Sequence, residues 1–218
     1  MSYMYMRLLD LFSGTHSVGN VARDFGFDVV SLDLRDADVC CNVMDWEYSS
    51  YPVGYFDVVW ASPPCDTFSL ARYKNVGRNN VTRESIVRDR EERGVPLLRR
   101  TIDIINYFKP KYYFIENPDS GAMKEYILDM PYYRVDYCMY GFPYRKRTRI
   151  WTNLSNFQPK LCNKNCGSFQ KGKHILNCVG GNKIQKGQGS GSNRSDRYKI
   201  PALLVQELLS PIIVNDPI

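Results

Sequence analysis

Phe56-Asp57-Val58-Val59-Trp60-Ala61-Ser62-Pro63-Pro64-Cys65 is the stretch that decides how this chain folds. Its first six residues form an apolar run with the length and composition of a buried strand. Two prolines end it. Each fixes φ and removes a backbone donor, so the turn is rigid and the sheet cannot continue through it. What lies past the turn is a thiol, Cys65, at the carboxyl edge of a strand, where open α/β sheets hold their ligands. A cysteine there is a candidate nucleophile where its surroundings favour the thiolate, and otherwise a structural thiol at a strand end.

The same kind of run recurs on either side. Residues 7–12 are a short apolar strand broken by Ser13-Gly14, and residues 17–25 follow as a helix with Val18, Val21, Ala22 and Phe25 on one face. A second strand, 28–32, ends at Asp33, and a weaker one lies around 39–43. Residues 84–109 are helical in pattern, apolar at Ile86, Leu97, Leu98, Ile102, Ile105 and Phe108, and Pro96 is expected to divide them into two helices. A strand at 112–115 runs into Glu116-Asn117-Pro118. A helix near 122–128 and strands at 134–140 and 148–152 complete the series. Strands alternating with helices predict crossover units, hence a Rossmann-like, doubly wound α/β domain with a mainly parallel sheet.

Composition changes after residue 153. Residues 154–199 lack apolar periodicity and are rich in Lys, Asn, Gly and Ser, with Gly187-Gln188-Gly189-Ser190-Gly191-Ser192 flexible by composition. A last helix, 201–209, carries Leu203, Leu204, Leu208 and Leu209 and is expected to pack back on the main sheet. The division expected is therefore a main domain of residues 1–153 plus 200–218 and a small polar insert, 154–199.

The chain has 218 residues, 44% hydrophobic content and a net charge of +6, enough for one substantial core and suited to a polyanionic partner. Sixteen tyrosines and ten phenylalanines fill cores first, and some could stack on bases. Seven cysteines without a secretory leader, and no run near the roughly 18 apolar residues of a membrane span, point to a soluble intracellular protein with thiols or metal ligands rather than disulfides. Cys162-x3-Cys166-x7-His174-x3-Cys178 could close a tetrahedral zinc site, with free thiols in a loop as the alternative. Lys164, Lys171, Lys173 and Lys183 surround it, while Cys40, Cys41 and Cys138 read as core cysteines and His16 as a loop side chain.

Several strand ends carry chemistry. The loop Asp10-Leu11-Phe12-Ser13-Gly14-Thr15-His16-Ser17-Val18-Gly19 lets a ligand approach the backbone at a helix N-terminus. Asp33 stands where a carboxylate can accept both ribose hydroxyls of a nucleoside cofactor, or is simply a turn aspartate. Glu116 is expected to face the same cleft as Cys65, where a buried carboxyl can act as an acid. Arg147-Thr148-Arg149 opens a strand whose alternation puts both guanidiniums on one face.

In order, Asp-Leu-Phe-Ser-Gly, Ser-Pro-Pro-Cys, Glu-Asn-Pro and Arg-Thr-Arg resemble the cytosine-C5 DNA methyltransferases over about residues 7–153. The small size resembles the short members found in phages and large eukaryotic DNA viruses, iridoviruses especially. The resemblance implies the S-adenosylmethionine-dependent methyltransferase fold and double-stranded DNA as substrate. It makes Cys65 the nucleophile toward cytosine C6, Glu116 the group on N3 and the exocyclic amine, and Arg149, helped by Arg147, the orienting cations. It implies S-adenosylmethionine, released as S-adenosylhomocysteine, on Phe12, Ser13, Gly14, Ser17, Val18, Asp33, Leu34 and Pro63. Asn42-Val43 falls where the family often has an acidic residue and an aliphatic one near the adenine, with Asp45 as an alternative. Arg72, Lys74, Arg78 and Arg83 fall in the family's mobile loop, where they could contact phosphates and hold Cys65 nearer its thiolate. A viral protein of this kind would work in the host nucleus or cytoplasm.

The chain departs from the family in three places. Fewer than fifty residues separate Arg-x-Arg from the last helix, where typical members have a large target-recognition region. Lys199-Ile200-Pro201 stands in place of the family's Gly-Asn cofactor motif, and 141–146 lacks the Gln that usually precedes Arg-x-Arg. The alternatives are RNA cytosine methylation, on tRNA in a related branch, and a catalytically silent DNA-binding relative.

Overall fold

The computed structural model describes residues 5–176, 196 and 198–215. Strands β1 (Arg7–Leu11), β2 (Asp28–Asp33), β3 (Val39–Cys40), β4 (Val58–Ala61), β5 (Tyr112–Pro118), β6 (Tyr132–Asp136) and β7 (Arg147–Thr152) form one sheet. Their order is β3-β2-β1-β4-β5-β7-β6. The first five pair in parallel, and β7 runs antiparallel between β5 and β6. This is the doubly wound α/β fold that the strand and helix alternation predicts. Chain order reverses between β1 and β4, so the loops that follow these two strands open on one crevice.

Both faces of the sheet are covered, which is why its strands read as continuous apolar runs instead of alternating ones. Leu8, Trp60, Phe114 and Ile150 face one core with helices α1 (Ser17–Asp24) and α4 (Ala202–Asn215). Their neighbours Leu9, Val59, Ile115 and Trp151 face the other, with α3 (Val95–Phe108). On α3, Leu98, Thr101, Ile104, Ile105 and Phe108 repeat at helical spacing and are buried. Removing Leu98, Ile104, Ile105 and Phe108 from water contributes roughly 1.5–3 kcal/mol each. Helix α1 lies close on the sheet because Gly19 has no side chain: a Cβ there would sit 3.3 Å from Asp10 Oδ2 and 3.5 Å from Val29 Cγ1.

Four expectations change. Pro96 does not divide the long helix: α2 (Arg83–Asp89) continues into α3 through a π-helical turn, Arg90–Gly94. Proline sits in the first turn of α3, where its missing N–H matters little once the preceding turn has widened. Residues 122–128 form only a short 3₁₀ turn, Ala122–Glu125, and the strand expected over 134–140 ends at Asp136 and passes into a second such turn, Tyr137–Tyr140. Helix α4 runs to Asn215, past the predicted end at 209 and with Pro211 inside it, and it packs against α1. Residues 169–174 add a small hairpin, β8 (Phe169–Gln170) and β9 (Lys173–His174), whose turn residues Lys171 and Gly172 both have positive φ.

Asp10 is a charged residue that this architecture buries. It lies beneath α1, where its Oδ2 accepts the Gly19 N–H at 3.1 Å. Burial outweighs that hydrogen bond and the field of Arg23, and pushes the carboxyl up to about 7. Because the folded value is the higher one, stability from this group is present below the ordinary value of 3.8 and is lost as pH rises through about 7. Asp10→Asn keeps an acceptor for Gly19 and removes the buried charge. We expect the denaturation midpoint of the variant to fall less than the wild type's between pH 5 and pH 8, a difference of about 2–3 kcal/mol. Equal pH dependence in the two proteins would show that Asp10 ionises freely in the folded state.

Candidate active site

Three loops meet at the carboxyl edge of the parallel strands. After β1, Phe12 turns with φ 60° and Gly14 with φ 47°, and the Ser13 N–H donates to the Leu32 carbonyl of β2. Gly14 N–H donates to Asp33 Oδ2 at 2.9 Å and Leu34 N–H to Asp33 Oδ1 at 2.7 Å, so Asp33 closes the β1 loop onto the end of β2. Ser13 Oγ and His16 Nδ1 are buried without a hydrogen-bond partner among the described residues. Two such polar atoms in one strand-to-helix loop call for a polar ligand, since leaving each unpaired costs about 1–3 kcal/mol. Ser17 shares a 2.7 Å hydrogen bond with Thr15, Val18 is buried against the sheet, and Leu34 is largely exposed beside Asp33. Asn42 Oδ1 accepts the Met44 N–H while Val43 is buried in the core.

After β4, Ser62 N–H still bonds to the Leu11 carbonyl, and the two prolines then carry the chain away from the sheet. Asn117 of β5 locks this turn from the side, its Nδ2 donating to the Pro63 carbonyl at 2.9 Å. Cys65 is half-buried in a cleft lined also by Ser69, Asn117, Pro118, Ser120 and Gly121. The loop beyond it is held at its base by the π-helical turn. Arg90 reaches the Thr67 carbonyl, and Gly94 packs so closely that a Cβ would meet Thr67 Oγ1 at 2.3 Å. Farther along, Arg72 pairs with Asp89 of α2, while Lys74, Arg78 and Arg83 are exposed.

Glu116 is buried one residue before Asn117, on the opposite face of β5. Its Oε1 accepts the Tyr137 hydroxyl at 2.8 Å and stands 3.4 Å from Lys146 Nζ. Burial pushes the Cys65 thiol up, Lys146 opposes that shift, and Glu116 and Asp66 add to it. Cys65, Glu116 and Lys146 thus act on one another electrostatically. Lys146 is the cation whose field opposes the shift at Cys65. Lys146 escaped the sequence reading because Arg147 and Arg149 drew it.

Arg147 and Arg149 do share a face, as alternation predicts, but each is already engaged. Arg147 makes a two-point contact with the buried Asp136 at 3.0 and 2.7 Å, and Arg145 adds a third contact at 3.2 Å. Arg149 bonds to Asp119 through Nε at 2.8 Å and Nη2 at 2.7 Å, and lies 3.9 Å from the centre of the Tyr132 ring. In register Arg149 faces Asn117, whereas Glu116 faces Ile150, so the structure sets the two arginines on the Asn117 side of the sheet and Lys146 beside Glu116.

A second cluster lies behind β6. The ligating atoms of Cys138, Cys162, Cys166 and His174 all fall within 4.8 Å of one another. Cys138 is buried, as expected of a core cysteine, and also stands in this cluster. Cys40 is exposed and Cys41 half-buried, so neither is the core cysteine expected, and Cys178 lies outside the described residues, as does Lys183. Burial opposes ionisation of Cys162, but hydrogen bonds from His174, the Lys164 backbone and the two neighbouring thiols hold it down to about 6.

Removing the opposing charge should be felt at the thiol. Lys146→Ala leaves burial and Glu116 acting on Cys65 without their counterweight, so alkylation of the Cys65 peptide at neutral pH is expected to slow several-fold and its pH profile to move upward. An unchanged profile would mean that Lys146 does not tune this thiol.

No protein-family model matches the chain. A protein of Frog virus 3 (isolate Goorha) named "Probable DNA (cytosine-5)-methyltransferase" is 44% identical over 215 residues, spanning 94% of this chain and 99% of the relative. Among solved structures, the Entamoeba histolytica methyltransferase EhMeth is 15% identical with a TM-score of 0.47, over 73% of this chain and 56% of that one. Spodoptera frugiperda DNMT2 is 15% identical with a TM-score of 0.44, over 71% and 53%. The chain spans little more than half the length of these solved structures. With near-complete coverage of a 44% identical relative, this chain belongs to the DNA (cytosine-5)-methyltransferase family.

Proposed function

We propose that the chain transfers a methyl group from S-adenosylmethionine to C5 of cytosine in double-stranded DNA. The observation that carries this reading is that Cys65, after β4, Glu116, on the neighbouring β5, and Lys146 act on one another electrostatically next to the point where strand order reverses. The name of the Frog virus 3 relative agrees with it. C5 of cytosine is a weak nucleophile until addition at C6 breaks aromaticity, so the reaction needs a thiolate. A duplex hides C6, so the base must leave the stack to reach Cys65.

In this reading Cys65 Sγ bonds to C6 and electron density moves to C5. Glu116 holds N3 and the exocyclic amine and supplies the proton that keeps the ring neutral, with Tyr137 and Lys146 fixing its carboxylate. After methylation a water in the cleft takes the C5 proton, its electron pair re-forms C5=C6 and expels Cys65 Sγ as thiolate, and the N3 proton returns to Glu116. Lys146 holds Glu116 in place, and Arg147 and Arg149 orient the base or its strand once DNA competes for them with Asp136 and Asp119.

S-adenosylmethionine supplies an electrophilic methyl on a sulfonium. The residues present fit it: Ser13 Oγ and His16 Nδ1 offer unpaired polar atoms, and Asp33 offers a carboxylate at the strand end. Gly14, Ser17 and Val18 would line its methionine end, and Phe12, Leu34, Asn42, Val43 and Pro63 the adenosine. Residues 1–153 with 200–218 make up the catalytic and cofactor-binding unit in this scheme. Residues 154–199, steadied by zinc, replace the recognition region and present Lys164, Lys171 and Lys173, all exposed. Exposed Lys74, Arg78 and Arg83 are the phosphate contacts of the loop after Cys65.

The test is transfer of a labelled methyl group from S-adenosylmethionine to unmethylated duplex DNA and, at matched salt, to tRNA. Label recovered as 5-methylcytosine in DNA supports the reading. Label on RNA alone moves the substrate to RNA, and none on either polymer with cofactor binding intact favours a silent relative.

A further inference from the structure

We propose that Cys138, Cys162, Cys166 and His174 bind one structural zinc ion that fastens the segment after β7 to the catalytic sheet, with Cys138, not Cys178, as the fourth ligand. The distances suit a tetrahedral metal. Four ligands at zinc–sulfur distances of about 2.3 Å and zinc–nitrogen distances of about 2.0 Å stand roughly 3.5–3.8 Å apart. Cys162 Sγ lies 3.6 Å from Cys166 Sγ and 3.4 Å from His174 Nε2. A disulfide would require about 2.0 Å between sulfurs and would leave the imidazole and third thiol unexplained. Three thiols and an imidazole form a soft donor set that favours zinc over oxygen-seeking cations.

The chain is shaped to deliver these atoms. Lys164 turns with positive φ between Cys162 and Cys166, making a tight knuckle that brings both sulfurs to one side. The β8–β9 hairpin reverses at Lys171-Gly172 and returns His174, which packs edge-on against Phe169. Cys138 comes from the other direction, in the turn after β6. The supporting contacts point the same way: Cys162 N–H donates to Asp136 Oδ2 at 2.8 Å, the oxygen that also receives Arg147. Tyr137, next to Cys138, is the residue that bonds Glu116. The metal therefore joins two supports of the candidate active site, the Asp136–Arg147 pair and the Tyr137–Glu116 bond, to a segment with few apolar residues of its own.

The experiment is metal analysis of the full chain purified from zinc-supplemented culture, followed by cobalt substitution and visible spectroscopy. One zinc per chain is expected, with cobalt giving thiolate charge-transfer and tetrahedral ligand-field bands. Cys138→Ser is expected to lose the ion, and Cys178→Ser to keep it. Because Cys138→Ser could also unfold the turn, His174→Cys provides an independent check. It retains four ligands and should keep the ion while strengthening the thiolate bands. Absence of zinc from the wild type, loss of it in Cys178→Ser, or a cobalt spectrum unaltered by His174→Cys would each overturn the proposal. Metal content is read without methyl transfer, so this proposal and the enzymatic one fail separately.

Discussion

Cys65→Ala is expected to reduce methyl transfer by about 10⁴-fold or more while leaving S-adenosylmethionine affinity within about twofold. The size of the effect follows from the chemistry. Without a bond to C6 there is no electron-rich C5, and among the described residues no other thiol lines the cleft beside Asn117 and Gly121. The structural cost is small, because Cys65 is half-buried on a turn fixed by Pro63, Pro64 and Asn117 rather than by its own sulfur. Single-turnover transfer with a parallel cofactor titration checks this. Activity within about tenfold of the wild type would remove Cys65 from the mechanism.

Glu116→Gln is the second large effect. The carboxylate receives Tyr137 and stands beside Lys146, so an amide of nearly equal size fills the same space. What it loses is the ability to pass a proton to the base, a role worth about 10²–10⁴-fold in rate. We expect the loss in the single-turnover rate, with folding and cofactor binding preserved. A rate within about threefold of the wild type would assign Glu116 to structure alone.

Much of the fold could be read from the residues because buried parallel strands announce themselves. β1, β4 and β5 are apolar runs stopped by Ser13-Gly14, Pro63-Pro64 and Pro118. Insertion of β7 between β5 and β6 had no such signature, since a strand's neighbours are set by packing at long range. The π-helical turn was hidden for a similar reason. Arg90-Glu91-Glu92-Arg93-Gly94 looks like a polar break before Pro96, and nothing in its spacing shows that Gly94 packs against Thr67 of the loop after β4.

The candidate site divides along the same line. Cys65, Glu116 and Asp33 sit where motifs at strand ends put them, because a strand end fixes position as well as identity. Lys146 and Tyr137 could not be found that way: their link to Glu116 depends on how the turn after β6 folds over β5. Cys138 is the clearest instance. Local spacing groups Cys162, Cys166 and His174, but the remaining thiol arrives from the turn after β6, and linear spacing offers Cys178 in its place.

A covalent bond between Cys65 and cytosine can be trapped on duplex DNA that contains 5-fluorocytosine. Fluorine cannot leave C5 as the proton does, so the methylated adduct cannot eliminate and should persist. With S-adenosylmethionine present, we expect a denaturation-resistant protein–DNA complex whose modified peptide contains Cys65, and none from Cys65→Ala. A complex mapped to another residue, or active methylation of cytosine without any trapped complex, would contradict it.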